Sequence, residues 1–426
     1  MAATRQEAAA GPSRELVPRP GVALGPPRGA RPYRRLLSPV ERIWLVADRL
    51  EPPFAPALVL EGEGELDLAA LTAAVERAAE ANPGARVVLR GWLSRSRWVG
   101  TGPMPRVERV EGAGWDARSG EEAPFLDRPL DPRRGPVLEV LLVPGSVTRL
   151  VFRVHHAVMD GRGLFHFVED VFRALRGEAL EGSSSEQTDL ELARRLAPDP
   201  AARRREDCLA PTGARRGGDT KSVWRRVSIP GTFSRALPRV LCCVARHARS
   251  FGTGEVRIGV PVDLRGRTDA ERSTANLTGI LDLDLPAQAT VASVQAALEQ
   301  ALAQHRAAAF VLEAEFIRGV PLWLATAVAR ASTRRVCRND RYESSGTVSN
   351  LGRVPVERFA GGGFATRAAF FVPPGTASHA CFIVLCGHPE GLEAVVTMPG
   401  DLASEGRLDE LLDALGAALA PAPADG

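Results

Sequence analysis

Apolar positions along this chain follow two periods in turn. The run Ser38-Pro39-Val40-Glu41 reads as a capping box with proline at the first helical position, opening a helix through Trp44 to about Arg49. Asp67 is placed to cap a second helix, in which Leu68, Leu71, Ala74, Val75 and Ala78 recur on one face until Asn82-Pro83 stops it. At 85–92, 138–143 and 149–154 Val, Leu and Phe replace the alanine-rich helical pattern, and these runs read as strands. After a turn, Leu164, Phe165, Val168, Val171, Phe172 and Leu175 again mark one helical face. Strands near 223–229, 256–263, 277–285, 345–350, 380–386 and 393–398 then interleave with helices near 291–309 and 320–335, and a final helix opens at Ser404.

Residues 1–33 are crowded with Pro, Gly, Ala and Arg and carry no sustained period, so they read as a flexible tail unable to repay its ordering entropy. The segment 178–221 holds Ser183-Ser184-Ser185, Arg203-Arg204-Arg205 and Gly217-Gly218, the composition of a connector with room for one short helix. Strands interleaved with helices on both sides of it predict two αβ lobes, 34–177 and 222–426, each an α+β two-layer sandwich. No repeat of 20 to 50 residues is visible.

At 426 residues the chain is long enough for two or three units or for one two-lobed domain. A hydrophobic share of 45% and a charged share of 25% exclude a mainly disordered or collagenous chain. The net charge of +3 is too small to mark a nucleic-acid binder, and Lys221 is the only lysine beside many arginines, a bias that names no partner. The six cysteines have no C-x-x-C spacing, which suggests neither a metal site nor a disulfide framework, and a reducing cytoplasm is the expected location. No apolar run approaches the roughly 20 residues of a membrane helix, and the Arg- and Pro-rich start lacks the core of a signal peptide.

The most specific local signal is His155-His156-Ala157-Val158-Met159-Asp160-Gly161, between the strand ending at Val154 and the helix at Leu164. Its spacing should arise by chance in roughly one shuffled chain in two thousand. A strand end holds His156 rigidly, Gly161 lets the chain turn, and Asp160 lies close enough to fix the loop. A neutral imidazole so held can take a proton from a hydroxyl or an amine. The same residues would also serve as a structural pair at a strand end, but the full spacing in this setting favours the base.

The motif resembles the signature of the chloramphenicol-acetyltransferase-like superfamily, which includes condensation domains, polyketide-associated acyltransferases and alcohol acetyltransferases. Further stretches resemble it more weakly: Leu37-Ser38-Pro39 through Leu60, Pro83 to Arg90, and Leu130-Asp131-Pro132 through Leu142 in the first half. In the second half Pro261-Val262-Asp263-Leu264-Arg265, Asn276-Leu277-Thr278-Gly279 and Ser349-Asn350-Leu351-Gly352 resemble the polyketide-associated and alcohol acetyltransferase branch. The resemblance spans about residues 34 to 420. It implies two lobes forming a V with a central tunnel, and His156 as catalytic base. His155, Asp160 and Gly161 are then structural, with Asp160 salt-bridged to an arginine for which Arg265 is the candidate, a surface position being equally open. Ser349 and Asn350 either polarise an oxyanion or close a turn, the turn being the simpler reading. His166, on the following helix, is expected to pack rather than act as a second base.

The plant-branch D-F-G-W-G motif is absent, as are a carrier-protein serine motif, an adenylation motif and a second copy of the histidine motif. A free-standing acyltransferase is therefore expected, acting as a monomer and holding neither a metal nor a bound cofactor. Acyl-CoA or a phosphopantetheinyl carrier protein is the expected donor, and the acceptor a hydroxyl, less readily an amine, of a specialised metabolite or lipid. The same fold and base would equally suit a cyclisation or an elimination. A noncatalytic carrier-docking module would be expected to have lost the motif, which here is intact.

Overall fold

The computed structural model describes residues 32–199, 207–268 and 272–420. Its frame is two six-stranded sheets and one of three strands. In spatial order the first sheet runs Ala360–Gly361, Phe364–Val372, Ala57–Gly64, Thr148–Val154, Leu138–Val143 and Arg106–Arg109, antiparallel except for the last pair. The second runs Thr278–Asp284, Arg257–Asp263, Gly346–Arg353, Phe382–His388, Gly391–Pro399 and Ser222–Pro230, with Gly346–Arg353 parallel to both neighbours. The small sheet pairs Arg97–Val99 with Arg34–Leu36 and Val88–Arg90.

Strand alternation assigns each face a partner. Leu58, Leu60, Val140, Leu142, Leu150 and Phe152 pack with Leu71, Val75 and Ala78 of the helix Leu68–Ala81 and with Leu164, Val168 and Phe172 of the helix Gly161–Leu175. The intervening Val59, Leu141, Val151 and Phe370 form a separate apolar layer with Trp224 and Val395 of the second sheet. The second sheet buries Ile258, Val260, Leu281, Ile383, Leu385 and Val396 against the helices Ala236–Ser250, Val291–Ala303 and Arg407–Leu419.

The capped helices follow their local signals. Ser38 and Glu41 exchange side-chain and backbone hydrogen bonds at the start of Pro39–Leu50, and Asp67 accepts from the Ala70 amide at the start of Leu68–Ala81. The run 291–309 is two helices, Val291–Ala303 and Arg306–Glu313, broken where His305 takes a left-handed conformation at φ 53°.

Three differences from the sequence reading bear on the architecture. The strand Phe364–Val372 lies in the second half of the chain yet pairs with Ala57–Gly64 in the first sheet, so the division into 34–177 and 222–426 is crossed. Its period is masked by exposed Arg367 and a register shift between Thr366 and Ala368. Within 178–221 the expected short helix is Asp189–Leu196, with a capping box from Thr188 to Glu191, but Cys208, Leu209 and Ala210 sit in the second core, so part of this segment is packed rather than linking. Most of the expected tail lies outside the described residues, but Tyr33, which the reading placed in it, packs on the first core.

One guanidinium joins the two large sheets. Arg226, in the second sheet, meets Glu393 of the same sheet at 2.7 Å and Glu61 of the first sheet at 2.7 Å, and lies 4.0 Å over the Phe370 ring. Glu393 also accepts from Ser228 and faces His388; burial would raise its pKa, but these partners outweigh it and bring it to about 2. Replacing Arg226 by leucine leaves Glu61 to Arg149 and Glu393 to Ser228 and His388 alone, at a cost expected to be about 1.5–3 kcal/mol. Urea unfolding of the variant measures it, and a loss below about 1 kcal/mol would show that the sheets do not depend on this link.

Candidate active site

The strand Thr148–Val154 delivers the chain into a tight turn closed by the Val158 amide on the His155 carbonyl, 2.8 Å away. His155 is buried, its Nδ1 accepting from the Ala157 amide at 3.2 Å and its Nε2 facing Asp48 Oδ2 at 3.5 Å. Asp48 is on the opening helix, so His155 ties the turn to Pro39–Leu50. Burial would raise the Asp48 carboxyl; His155 and the Phe54 amide outweigh it and hold it below its ordinary value.

His156 points into a cavity of about 510 Å³. Its Nδ1 lies 3.3 Å from the Met159 carbonyl oxygen. A carbonyl can only accept, so Nδ1 carries the proton and Nε2 keeps its lone pair. The ring is stacked on Trp44, 5.0 Å between centroids and 9° between planes, and on Phe54 at 5.6 Å. Burial lowers its pKa to about 4, against the smaller opposing effects of the Met159 carbonyl and Asp160. The imidazole is therefore neutral at physiological pH.

Asp160 borders the same cavity, but its carboxylate is taken up by other partners. It is the N-cap of Gly161–Leu175, its Oδ1 accepting from the Gly163 amide at 2.7 Å. Its Oδ2 accepts from the Leu277 amide at 2.8 Å and from the Thr278 hydroxyl at 2.9 Å. Arg265 completes the set, Nη1 to Oδ2 at 3.0 Å and Nη2 to Oδ1 at 3.2 Å. Burial would raise the carboxyl, but Arg265 and the two amides outweigh it and keep it ionised. Arg265 also bonds Asp263 and the carbonyls of Ser273 and Ala275.

The segment Ser273–Leu277 comes close enough to touch the start of the motif helix. A Cβ on Gly163 would lie 2.4 Å from the Thr274 carbonyl oxygen, which only glycine permits. On this segment Asn276 donates from Nδ2 to the His156 carbonyl at 2.9 Å, while its buried Oδ1 has no hydrogen-bond partner among the described residues. Neither Gly163 nor Asn276 was singled out as a site residue from the sequence. A second small residue two places after Gly161 was the available signal for the first.

Ser349 and Leu351 line the cavity from the strand Gly346–Arg353. Asn350 also borders the cavity, at its exposed edge, and its Oδ1 accepts from the Gly352 amide at 3.1 Å, closing a turn in which Gly352 has φ +70°. The opening helix contributes Trp44, Ala47 and Leu50, and the helix Leu322–Asn339 contributes Ala329, Thr333 and Val336. Residues from 261–263 and 347–351 thus share one cavity with His156. His166 lies elsewhere, against Arg272.

A second imidazole, His379, lines the same cavity, its Nε2 2.8 Å from the Thr347 hydroxyl. Burial lowers its pKa to about 4. Thr347, Ser349 and Leu351 alternate along one strand face, and Leu351 is the residue a Cβ on Gly161 would meet at 3.1 Å. Thr347 lies four residues, about 13 Å of strand, before Leu351. A lone histidine in a loop gave no sequence signal.

No protein-family model matches the chain, and no curated protein matches it by sequence. Solved structures do. The chain is similar to the first condensation domain of the calcium-dependent antibiotic synthetase in complex with a substrate analogue, at a TM-score of 0.62 and 18% identity, covering 91% of this chain and 95% of that one. It is similar to the starter condensation domain of rhizomide synthetase in complex with C8-CoA, at 0.58 and 16%, covering 91% and 95%. It is also similar to a trichothecene 15-O-acetyltransferase from Fusarium sporotrichioides, at 0.60 and 11%, covering 91% and 94%. The fold is that of the condensation domains.

Within that fold the Asp160–Arg265 pair is architectural in its geometry: every carboxylate contact goes to the helix cap, the 273–278 segment or the guanidinium. Asp160→Asn keeps the shape but leaves the buried Arg265 guanidinium with only the part-exposed Asp263 as an ionic partner, with an expected loss of about 1.5–3 kcal/mol. Stability and activity should fall together. Normal stability with lost activity would assign Asp160 a direct role on substrate instead.

Proposed function

We propose that the protein is an acyltransferase that moves an acyl group from a thioester to an acceptor hydroxyl, with His156 as general base. The observation that carries this reading is the free Nε2 of a neutral, clamped His156 in a cavity built by both halves of the chain. The likeness in fold to a condensation domain in complex with C8-CoA and to an O-acetyltransferase supports the same chemistry.

His156 Nε2 takes the acceptor's proton as the acceptor oxygen attacks the thioester carbonyl. The tetrahedral oxyanion collapses, the C–S bond breaks, and the imidazolium returns its proton to the departing thiolate, so the enzyme ends as it began. Ser349 is the candidate donor to the oxyanion, with Asn350 Nδ2 a second, since the turn engages only the Asn350 Oδ1. The donor is acyl-CoA or an acyl carrier protein, and no resident cofactor is required. Holding both reactants against one base is what a cavity walled from both halves provides.

Purified protein is to be offered a panel of acyl-CoAs with hydroxylated and amino acceptors, following product mass. A product heavier by the acyl group is expected, and His156→Ala should lower kcat by at least about a hundredfold while leaving donor binding nearly intact. A folded variant with normal turnover would remove His156 from the mechanism, and a product of unchanged mass would point to cyclisation. Because burial holds His156 near a pKa of about 4, kcat/KM should stay flat from about pH 5.5 to 8 and lose activity only as the base is protonated at lower pH. An acid limb near pH 6.5 would contradict a desolvated base.

A further inference from the structure

The helix Leu322–Asn339 has two unlike faces. Inward it lines the cavity with Ala329, Thr333 and Val336, while outward Trp323 is 64% exposed and Val328 63% exposed. Two other segments add to this outer face. Phe316, 67% exposed, stands on the turn Ala314–Gly319 just before the helix, and Trp92, 59% exposed, stands beside the turn Leu93–Arg95. These turns are neighbours, because buried Arg42 donates to both the Leu93 and Val320 carbonyls. Four large apolar side chains from three stretches of chain thus project from one region of the surface without covering one another.

The charge beside them is mainly positive, Glu315 next to Phe316 being paired with Arg194 and Arg318. The helix carries no Asp or Glu, and Arg330, Arg334 and Arg338 are exposed at a four-residue spacing that sets them in one line beyond Trp323. Exposed Arg95 adds another cation near Trp92. Tryptophan and phenylalanine at the apolar end and arginines alongside is the composition that holds a helix in the headgroup layer of a membrane without spanning it.

We propose that this face docks on an anionic lipid bilayer, with Trp92, Phe316, Trp323 and Val328 entering the interface and the arginines meeting lipid phosphates. Separate aromatic knobs from three segments need matching holes in a protein partner and none in a fluid headgroup region. No described helix is long and apolar enough to cross a membrane, which is compatible with surface docking. The proposal is independent of the chemistry assigned to His156.

The test is flotation of the full chain with vesicles of pure phosphatidylcholine and with vesicles of seven parts phosphatidylcholine to three parts phosphatidylglycerol. Binding to the anionic vesicles is expected, together with a blue shift of tryptophan emission and release by half-molar salt. Trp323→Ala with Val328→Ser should weaken partitioning at least about tenfold at unchanged melting temperature, and Arg330→Gln with Arg334→Gln and Arg338→Gln should abolish the preference for anionic lipid. No binding to either vesicle overturns the proposal, as does binding that these folded variants leave unchanged. Patch-dependent dimerisation in light scattering without vesicle binding assigns the face to a second copy and also overturns it.

Discussion

The buried pair of Asp160 and Arg265 is the constraint on which the site depends. One carboxylate caps the helix that follows the histidine turn, accepts an amide and a hydroxyl from the 277–278 backbone and side chain, and holds a guanidinium anchored to Ser273 and Ala275. An ion pair out of water rarely adds much net stability over an apolar replacement, but a half-removed one is expensive. Its contribution here is positional: it fixes residues 273–278 of the second half against the helix of the first. That contact places Asn276 on the His156 carbonyl and makes glycine obligatory at 163.

The His156 ring is held by a different kind of contact. Asp160 leaves the histidine ring to packing against the mutually stacked Trp44 and Phe54 and to one carbonyl, Met159. Aromatic surroundings and a single acceptor at Nδ1 fix the tautomer and keep the ring uncharged, so electrostatic support and proton chemistry are separated within seven residues of sequence. A carboxylate on the same ring would instead have raised its pKa from about 4 toward neutrality.

What was legible in the sequence was local. Ser38, Asp67 and the run from His155 to Gly161 signal their roles through neighbours a few residues away, and the mixed αβ character follows from two hydrophobic periods in turn. The partners were not legible in the same way. Trp44 reads as one apolar position on an amphipathic helix, and its place against His156 exists only after the helix docks. His379 sits in a loop with no motif, and its cavity role depends on Thr347 across the sheet. The division into halves misplaced Phe364–Val372 because strand pairing over such a separation has no local signature, and because Arg367 and the register shift hide the alternation.

That strand also sets an order of events for the nascent chain. Ala57–Gly64 is made early, but its partner on one edge, Phe364–Val372, follows about 300 residues later, which at 5–20 residues per second is tens of seconds. Until then one edge of the first sheet lacks its hydrogen-bonding neighbour, and Leu58 and Leu60 lack the cover of Phe371 and Ala369. The first half is thus obliged to wait on the ribosome with an open, apolar margin, and it is the late arrival of residues 364–372 that closes both the sheet and the period of greatest exposure to wrong partners.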